Sequence, residues 1–405
     1  MRADMSAAPR DWGIASELED VSGEVAIVGI GESRHSRASG RTTVEIACAA
    51  VEAALADAGL EPGEVDGLLF SGGLPEQLDA AAFHAHFGTK HEIWECPRGG
   101  GMNLAATAPL EAARALREGR ATTLVNVFAV AWATQRGSMT GGPGQFHAQE
   151  RTKRSLEVPF GWFPQPVYFA TIARRHMHEY GTTPEALGEI AVACRAHAGR
   201  HPGAVMHGRP LTLEQYLARP MLCDPLRTED CCLISDGGAA FVMTSRERAA
   251  DRPHPLVTAA GVGEARAGTG TYWAQQPDFT ATPQVFSAPP AFAMAGIAPA
   301  DVDVLTLYDP FTIAALMQIE DMGFCAKGEG DAFVRGGALR VDGGSLPYNP
   351  HGGMLSHAYV LGIAHVVEVV RQLRGEAWAQ VQGARVGVYG GYTGHMASTL
   401  VLVRE

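Results

Sequence analysis

The residues able to do chemistry gather in a few short stretches. YDPFT at 308–312 begins where a buried strand is expected to end. Ligands of α/β sheets collect at the carboxyl ends of strands, which places Tyr308 to act. The same position also suits a core tyrosine with a bonded hydroxyl. PRGGGM at 97–102 feeds the Ala-rich run NLAATAPLEAARALREG. A loop entering a helix presents free N–H groups and a positive dipole end, fit for an oxyanion or a thioester oxygen. A plain structural turn is the other reading. Neither GxGxxG nor GxxxxGK[ST] is present there, which gives no support to nucleotide binding. YGGYTGH at 389–395 would let a ligand approach the backbone closely. PHGGMLSHAYVLG at 350–362 adds a Gly-Gly turn followed by His357 and Tyr359.

Two other patterns carry less. HAH at 84–86 and HMH at 176–178 look like ligand pairs, but residues two apart on a helix do not share a face. The second reads more simply as a helix ending at Gly181. Seven cysteines without a CxxC pair argue against a disulfide framework and a zinc site. Cys231 and Cys232 read as small core residues.

The chain of 405 residues can hold two core-forming units or one large duplicated domain. Its 32 basic and 44 acidic residues give a net charge of −12, so no basic field favours nucleic acid. No apolar run approaches the ~18 residues of a membrane span, and residues 1–22 read as a polar leader, not a secretory signal. A soluble cytoplasmic protein is expected.

The elements that must position these residues follow βαβ grammar. VAIVGI at 25–30 suits a buried strand, TVEIACAAVEAALADA at 43–58 a helix stopped by Gly59, and VDGLLF at 65–70 another strand. Parallel strands covered by helices are therefore expected. The sentence then repeats. ALADAGLEPGEVDGLLF at 54–70 aligns without a gap against AFAMAGIAPADVDVLTL at 291–307, with eight identities in 17 positions. A duplicated α/β unit is the reading, with halves at 23–250 and 251–405 meeting near the Pro-rich DRPHP stretch. Strands are expected at Ala239–Thr244 and Leu256–Ala260. Residues 134–180, Gly-rich and then aromatic and Pro-rich, read as an excursion that caps a pocket, forms an interface or simply covers surface.

With these stretches in view, the chain resembles the thiolase superfamily, in its sterol-carrier-protein and lipid-transfer-protein branch. The resemblance runs from about Val25 to Val403. It rests on CDPLRTEDCCLISDGGAAFVMTS at 223–245, YDPFTIAALMQIEDMGFCAKGEG at 308–330, PYNPHGGMLSHAYVLG at 347–362 and EVVRQLRGEA at 368–377. It implies an α/β thiolase fold, with two duplicated βαβαβαββ halves forming a five-layered α-β-α-β-α structure. Such proteins are usually dimeric and act on acyl-CoA thioesters.

The catalytic pattern departs from thiolase at each expected point. The loop due to carry the nucleophilic Cys is GGGMN at 99–103, and Cys96 lies too early unless the alignment shifts. The two expected His positions hold Tyr308 and Tyr359, and the C-terminal turn YGGYTG holds no Cys. Covalent acyl transfer needs a thiolate and a nearby base. The pattern is instead similar to the lipid-transfer-protein-type steroid aldolases, which cleave a β-hydroxyacyl-CoA by retro-aldol chemistry. That resemblance implies Tyr308 and Tyr359 as the acid/base pair, in an order the sequence leaves open. His351 is the better placed helper, with His357 the other choice. Gly101, Met102, His351, Gly352, Gly353, Gly390 and Gly391 are the expected substrate-binding positions. No metal is expected in this chain and no cofactor beyond the coenzyme A of the substrate. The resemblance also implies a small OB-fold partner bearing a zinc-ribbon element, joined to a thiolase-like dimer as a heterotetramer. Two alternatives stand: a Claisen or retro-Claisen thiolase using Cys96, and a non-catalytic acyl-CoA-binding subunit.

Overall fold

The strands before and after residue 250 are laid down in the same order. A computed structural model of the chain describes residues 11–405 except 75, 136–154, 156, 163, 269–275 and 277. The strands are β1 (Gly13–Ala15), β2 (Val25–Glu32), β3 (Gly67–Leu69), β4 (Trp94–Cys96), β5 (Thr123–Ala131), β6 (Met221–Cys223), β7 (Leu226–Arg227), β8 (Asp236–Ser245), β9 (Val257–Ala267), β10 (Val304–Leu307), β11 (Val386–Thr393) and β12 (Met396–Arg404). One sheet runs β2-β8-β5-β3-β4 and the other β9-β12-β11-β10. Matching neighbours keep the same sense. β3 with β5 and β10 with β11 are parallel, whereas β5 with β8, β11 with β12, β8 with β2 and β12 with β9 are antiparallel. The two sheets join in the single Ala26–Thr258 bridge. A separate small hairpin pairs β6 with β7.

Helices of at least eight residues are α1 (Thr43–Ala58), α2 (Ala80–Phe87), α3 (Asn103–Arg117), α4 (Gln165–Tyr180), α5 (Pro184–Arg200), α6 (Gln284–Ala295), α7 (Thr312–Asp321) and α8 (Ile363–Arg374). α3 and α8 form the middle layer and touch both sheets, while α1 and α6 cover the outer faces. A helix between two sheets has no solvent side. Accordingly Glu368, Gln372 and Arg374 on α8 are buried, and Gln372 Nε2 donates to Glu368 at 2.8 Å. This is the five-layered arrangement expected from the sequence.

The repeat is visible in detail. α1 starts in a Thr42/Glu45 capping box and stops at Gly59, φ 63°, while α6 stops at Gly296, φ 67°. Asp66 accepts the N–H groups of Thr122 and Thr123, opening β5; its counterpart Asp303 accepts those of Arg385 and Val386, opening β11. A carboxylate that collects two backbone donors ties each strand start to the neighbouring strand's lead-in.

Several expectations need correction. The sheets are mixed, not parallel, because β2 and β9 pair antiparallel with the last strand of their own half. The helix expected to end at Gly181 is present: Gln165–Tyr180 is α4, capped by Gly181 at φ 76°. Residues 136–154, the Gly-rich part of the excursion, lie outside the described residues. The leader's 13–15 stretch is a strand on β9, beside Trp12, whose ring packs 4.8 Å from Phe286. His84 and His86 bond to Thr89 and Glu52, and buried His176 spans Thr182 and Glu320. Among the described residues no helix is long and apolar enough to cross a membrane.

Candidate active site

Helix α3 is entered through a strained residue. Met102 has φ 53° and ψ −129°, a conformation that an L side chain adopts at a cost of order 1–3 kcal/mol. Three contacts hold it there. Its N–H donates to the Leu361 carbonyl, and its own carbonyl accepts the Tyr389 hydroxyl at 3.0 Å. Just upstream, Asn126 of β5 takes the Gly100 N–H at 2.6 Å and donates to the Gly100 carbonyl at 3.1 Å. Gly101 must be glycine, since a Cβ there would meet the Leu361 backbone. The facing loop is equally tight: Leu361 has φ 45°, and a Cβ on Gly362 would strike the Tyr389 hydroxyl. The expected free N–H groups of this loop are thus partly committed, because Met102's own is used by Leu361.

The elbow opens into a cavity of about 450 Å³, within the usual range for small-molecule sites. Met102, Gly101, Tyr308 and Tyr359 line it, together with apolar walls from Leu74, Trp132, Phe169 and Leu361. Thr393 and His395, from the turn between β11 and β12, and Gln165 of α4 add polar groups. Trp132 sets its ring edge on Tyr359 at 5.7 Å, and Phe169 stacks on Phe311 at 4.1 Å.

Tyr308 follows β10 directly. Its N–H donates to Gly390 at 2.8 Å and its carbonyl accepts Gln318 Nε2 at 2.9 Å. Beneath it Asn349 mimics a strand, bonding both the N–H and the carbonyl of Leu307 at 2.9 and 3.2 Å. Asp309 is fully buried and takes the Met354 N–H at 2.8 Å and lies 3.0 Å from His365 Nε2. Tyr359 is anchored by its N–H to Ser235 Oγ at 2.8 Å. The two phenols stand side by side in the cavity wall. Burial pushes both well above the ordinary phenol value, and the neighbouring Tyr359 raises Tyr308 further.

The remaining expected positions lie behind the cavity wall. Gly391 lets α3 approach β11, since its Cβ would sit 3.0 Å from Asn103 Cα and the Met102 carbonyl oxygen. Gly390 packs on Leu307 and Gln284, Gly352 on Ala198, and Gly353, at φ 61°, on Asp309 and Asn349. His351 is 1 % exposed, with its ring 4.6 Å from His365 and 5.0 Å from His357. Cys96 is buried at the end of β4, away from the cavity lining, and burial raises its thiol.

Comparison with known proteins agrees with this geometry. Residues 265–405 match the family described as "Thiolase C-terminal domain-like". The steroid side-chain-cleaving aldolase of Thermomonospora curvata is 37% identical over 364 residues, covering 87% of this chain and 91% of that protein. The chain belongs to the thiolase superfamily, among its sterol-carrier-protein-like aldolases. The 17-hydroxy-3-oxo-4-pregnene-20-carboxyl-CoA lyase of Mycobacterium tuberculosis is likewise 37% identical, over 94% of this chain and 100% of its own length. A solved structure of an "Ltp2-ChsH2(DUF35) aldolase" superposes with a TM-score of 0.84 at 34% identity, covering 95% of this chain and 99% of that one.

In this aldolase the sequence reading missed two participants. Tyr389, which holds the elbow, sits at the head of the YGGYTGH turn, where only the glycines and the turn itself attracted notice. Cys232, read as a core residue, lies close enough to both phenols that a thiolate there would raise each of them. Burial in turn pushes its thiol up, so it stays protonated beside them.

Proposed function

We propose that this aldolase cleaves a β-hydroxyacyl-CoA with a steroid-sized ring into a ring ketone or aldehyde and a shortened acyl-CoA, with Tyr308 and Tyr359 moving the protons. The observation that carries the reading is the pair of buried phenols lining one apolar cavity beside the Met102 elbow. Burial opposes a standing phenolate on either ring, so a relay that needs none fits best. The substrate's β-hydroxyl proton passes to the Tyr308 oxygen as Tyr308 passes its own proton to Tyr359. The hydroxyl oxygen's electrons form the carbonyl, and the Cα–Cβ bond breaks. Its electron pair leaves on Cα as a thioester enolate, and Tyr359 gives Cα a proton. Each tyrosine ends with the one proton it began with, and neither water nor free CoA is consumed.

The two related enzymes named for steroid cleavage support a steroid substrate, and the aromatic and aliphatic walls suit a fused apolar ring. The similar Ltp2-ChsH2(DUF35) structure supports a DUF35 partner, which we take to be the OB-fold protein with a zinc ribbon, docked on a dimer of this chain. The chemistry calls on no cofactor in this chain. Cys96 makes a poor nucleophile, with a buried thiol raised above its ordinary value. The test is to incubate the protein, alone and with the partner, with a tertiary β-hydroxyacyl-CoA bearing a steroid ring. Ring ketone together with shortened acyl-CoA supports the reading. Intact substrate in both samples, despite measurable binding, would favour the non-catalytic subunit.

A further inference from the structure

Two histidines from separate segments reach one carboxylate away from the cavity lining, and a third packs against one of them. Glu32 closes β2, His35 lies in the turn after it, His201 follows α5, and His357 follows the helical turn Gly353–Ser356. Glu32 Oε1 lies 3.1 Å from His35 Nε2 and 3.5 Å from His357 Nε2. The rings of His35 and His201 stand edge-on to His357 at 4.7 and 4.6 Å. One ligand atom from each of Glu32, His35 and His357 falls within 4.8 Å of the others. Gly237 makes room, since a Cβ there would collide with the His35 ring.

Their hydrogen bonding is incomplete. Both ring nitrogens of His357, Nε2 of His201 and Nδ1 of His35 are buried with no hydrogen-bond partner among the described residues. Both nitrogens of neighbouring His351 are in the same condition. His357 is 0 % exposed and His201 5 %. Buried polar groups are almost always satisfied, and a cluster of unsatisfied imidazole nitrogens around a carboxylate calls for a shared electrophile.

We propose that Glu32, His35, His201 and His357 bind one divalent first-row transition-metal ion, for which zinc is the best match, as a structural brace under the Tyr359 loop. Imidazole and carboxylate donors, with no thiolate among them, suit a four-coordinate zinc or cobalt ion. Arg371 holds the second Glu32 oxygen at 2.9 Å and so turns Oε1 toward the imidazoles, as outer partners of metal ligands do. The ion would join the end of β2 and the end of α5 to a turn only two residues before Tyr359. The site is independent of the proposed reaction and is read without an activity assay.

The test uses the full chain, purified without any partner from zinc-supplemented medium and dialysed against metal-free buffer. Mass spectrometry for metals is expected to find a single equivalent of zinc per chain. Exchange with Co²⁺ is expected to give the visible absorption of a four-coordinate nitrogen and oxygen site without thiolate charge transfer. Glu32→Gln and His35→Ala should each lose the ion, whereas Tyr308→Phe should keep it. Near-ultraviolet circular dichroism of each variant separates loss of metal from loss of fold. The cobalt spectrum of the unaltered chain needs no variant at all. A folded, unaltered chain without stoichiometric metal, a thiolate spectrum, or metal retained by folded Glu32→Gln and His35→Ala would overturn the proposal.

Discussion

The Tyr389 hydroxyl donates to the Met102 carbonyl at 3.0 Å, tying a strand of the second half to the helix elbow of the first. The cavity is therefore built by both halves, and the strained Met102 backbone is held from outside its own segment. Removing the donor takes one of two hydrogen bonds from that carbonyl, which keeps the Ala105 N–H at 3.2 Å. Tyr389→Phe is expected to cost about 0.5–1.5 kcal/mol of stability. Denaturant unfolding checks this, and kcat should fall alongside as the elbow relaxes away from the phenols.

Tyr308→Phe and Tyr359→Phe break the same relay at different places. Each is expected to lower kcat roughly 10²–10⁴-fold with acyl-CoA binding little changed. Because the two act as one unit, the double variant should be hardly slower than either single one. Multiplicative losses in single-turnover cleavage would mean that the phenols work separately.

Met102 lies in the loop where the thiolase resemblance would put a nucleophilic cysteine, and it lines the cavity. Met102→Cys should create a thiol alkylated faster than Cys96, which is buried and raised. Acyl-CoA should protect the new thiol, as peptide mapping after timed alkylation would reveal. Thiolase activity should not follow, since the neighbouring base positions remain tyrosines.

His197 gives the protein an acid-side weakness. It is buried, its Nδ1 facing the Asn349 carbonyl at 3.3 Å and its Nε2 taking the Val341 N–H at 3.2 Å. Burial pushes its imidazole down to about 4. An unfolded histidine titrates near 6.5, so below that pH the unfolded chain takes up a proton that the folded one refuses. This contribution to stability is complete above about pH 6.5 and is lost toward pH 4, at roughly 1.4 kcal/mol per pH unit. Urea unfolding of the protein and of His197→Gln at pH 7 and pH 5 should show a smaller drop in the variant.

What the sequence made legible was local. Helix α1 falls on 43–58 as read, because its Thr42 box and Gly59 stop lie within it or beside it. The repeat was equally readable, since Asp66 and Asp303 do the same work at the same place in each half. Partner choice between strands is not local, which is why βαβ grammar suggested parallel sheets while β2 and β9 run antiparallel to their neighbours. The family resemblance led to Tyr308 and Tyr359, but not to Tyr389, whose role depends on a carbonyl 287 residues away. The imidazoles around Glu32 were invisible for the same reason. They come from three distant segments, so no spacing rule could gather them, whereas the close HAH and HMH pairs point apart.

The central claim is that this thiolase-fold enzyme breaks a carbon–carbon bond without covalent acyl transfer. Its most direct test is mass spectrometry of products from one steroid-ring acyl-CoA, supplied in β-hydroxy and β-keto forms, with and without free CoA. Cleavage of the β-hydroxy form to ketone and shortened acyl-CoA in the absence of free CoA, abolished in Tyr308→Phe, is the expected result. Cleavage of the β-keto form alone, and only when free CoA is present, would contradict it and make the enzyme a thiolase after all.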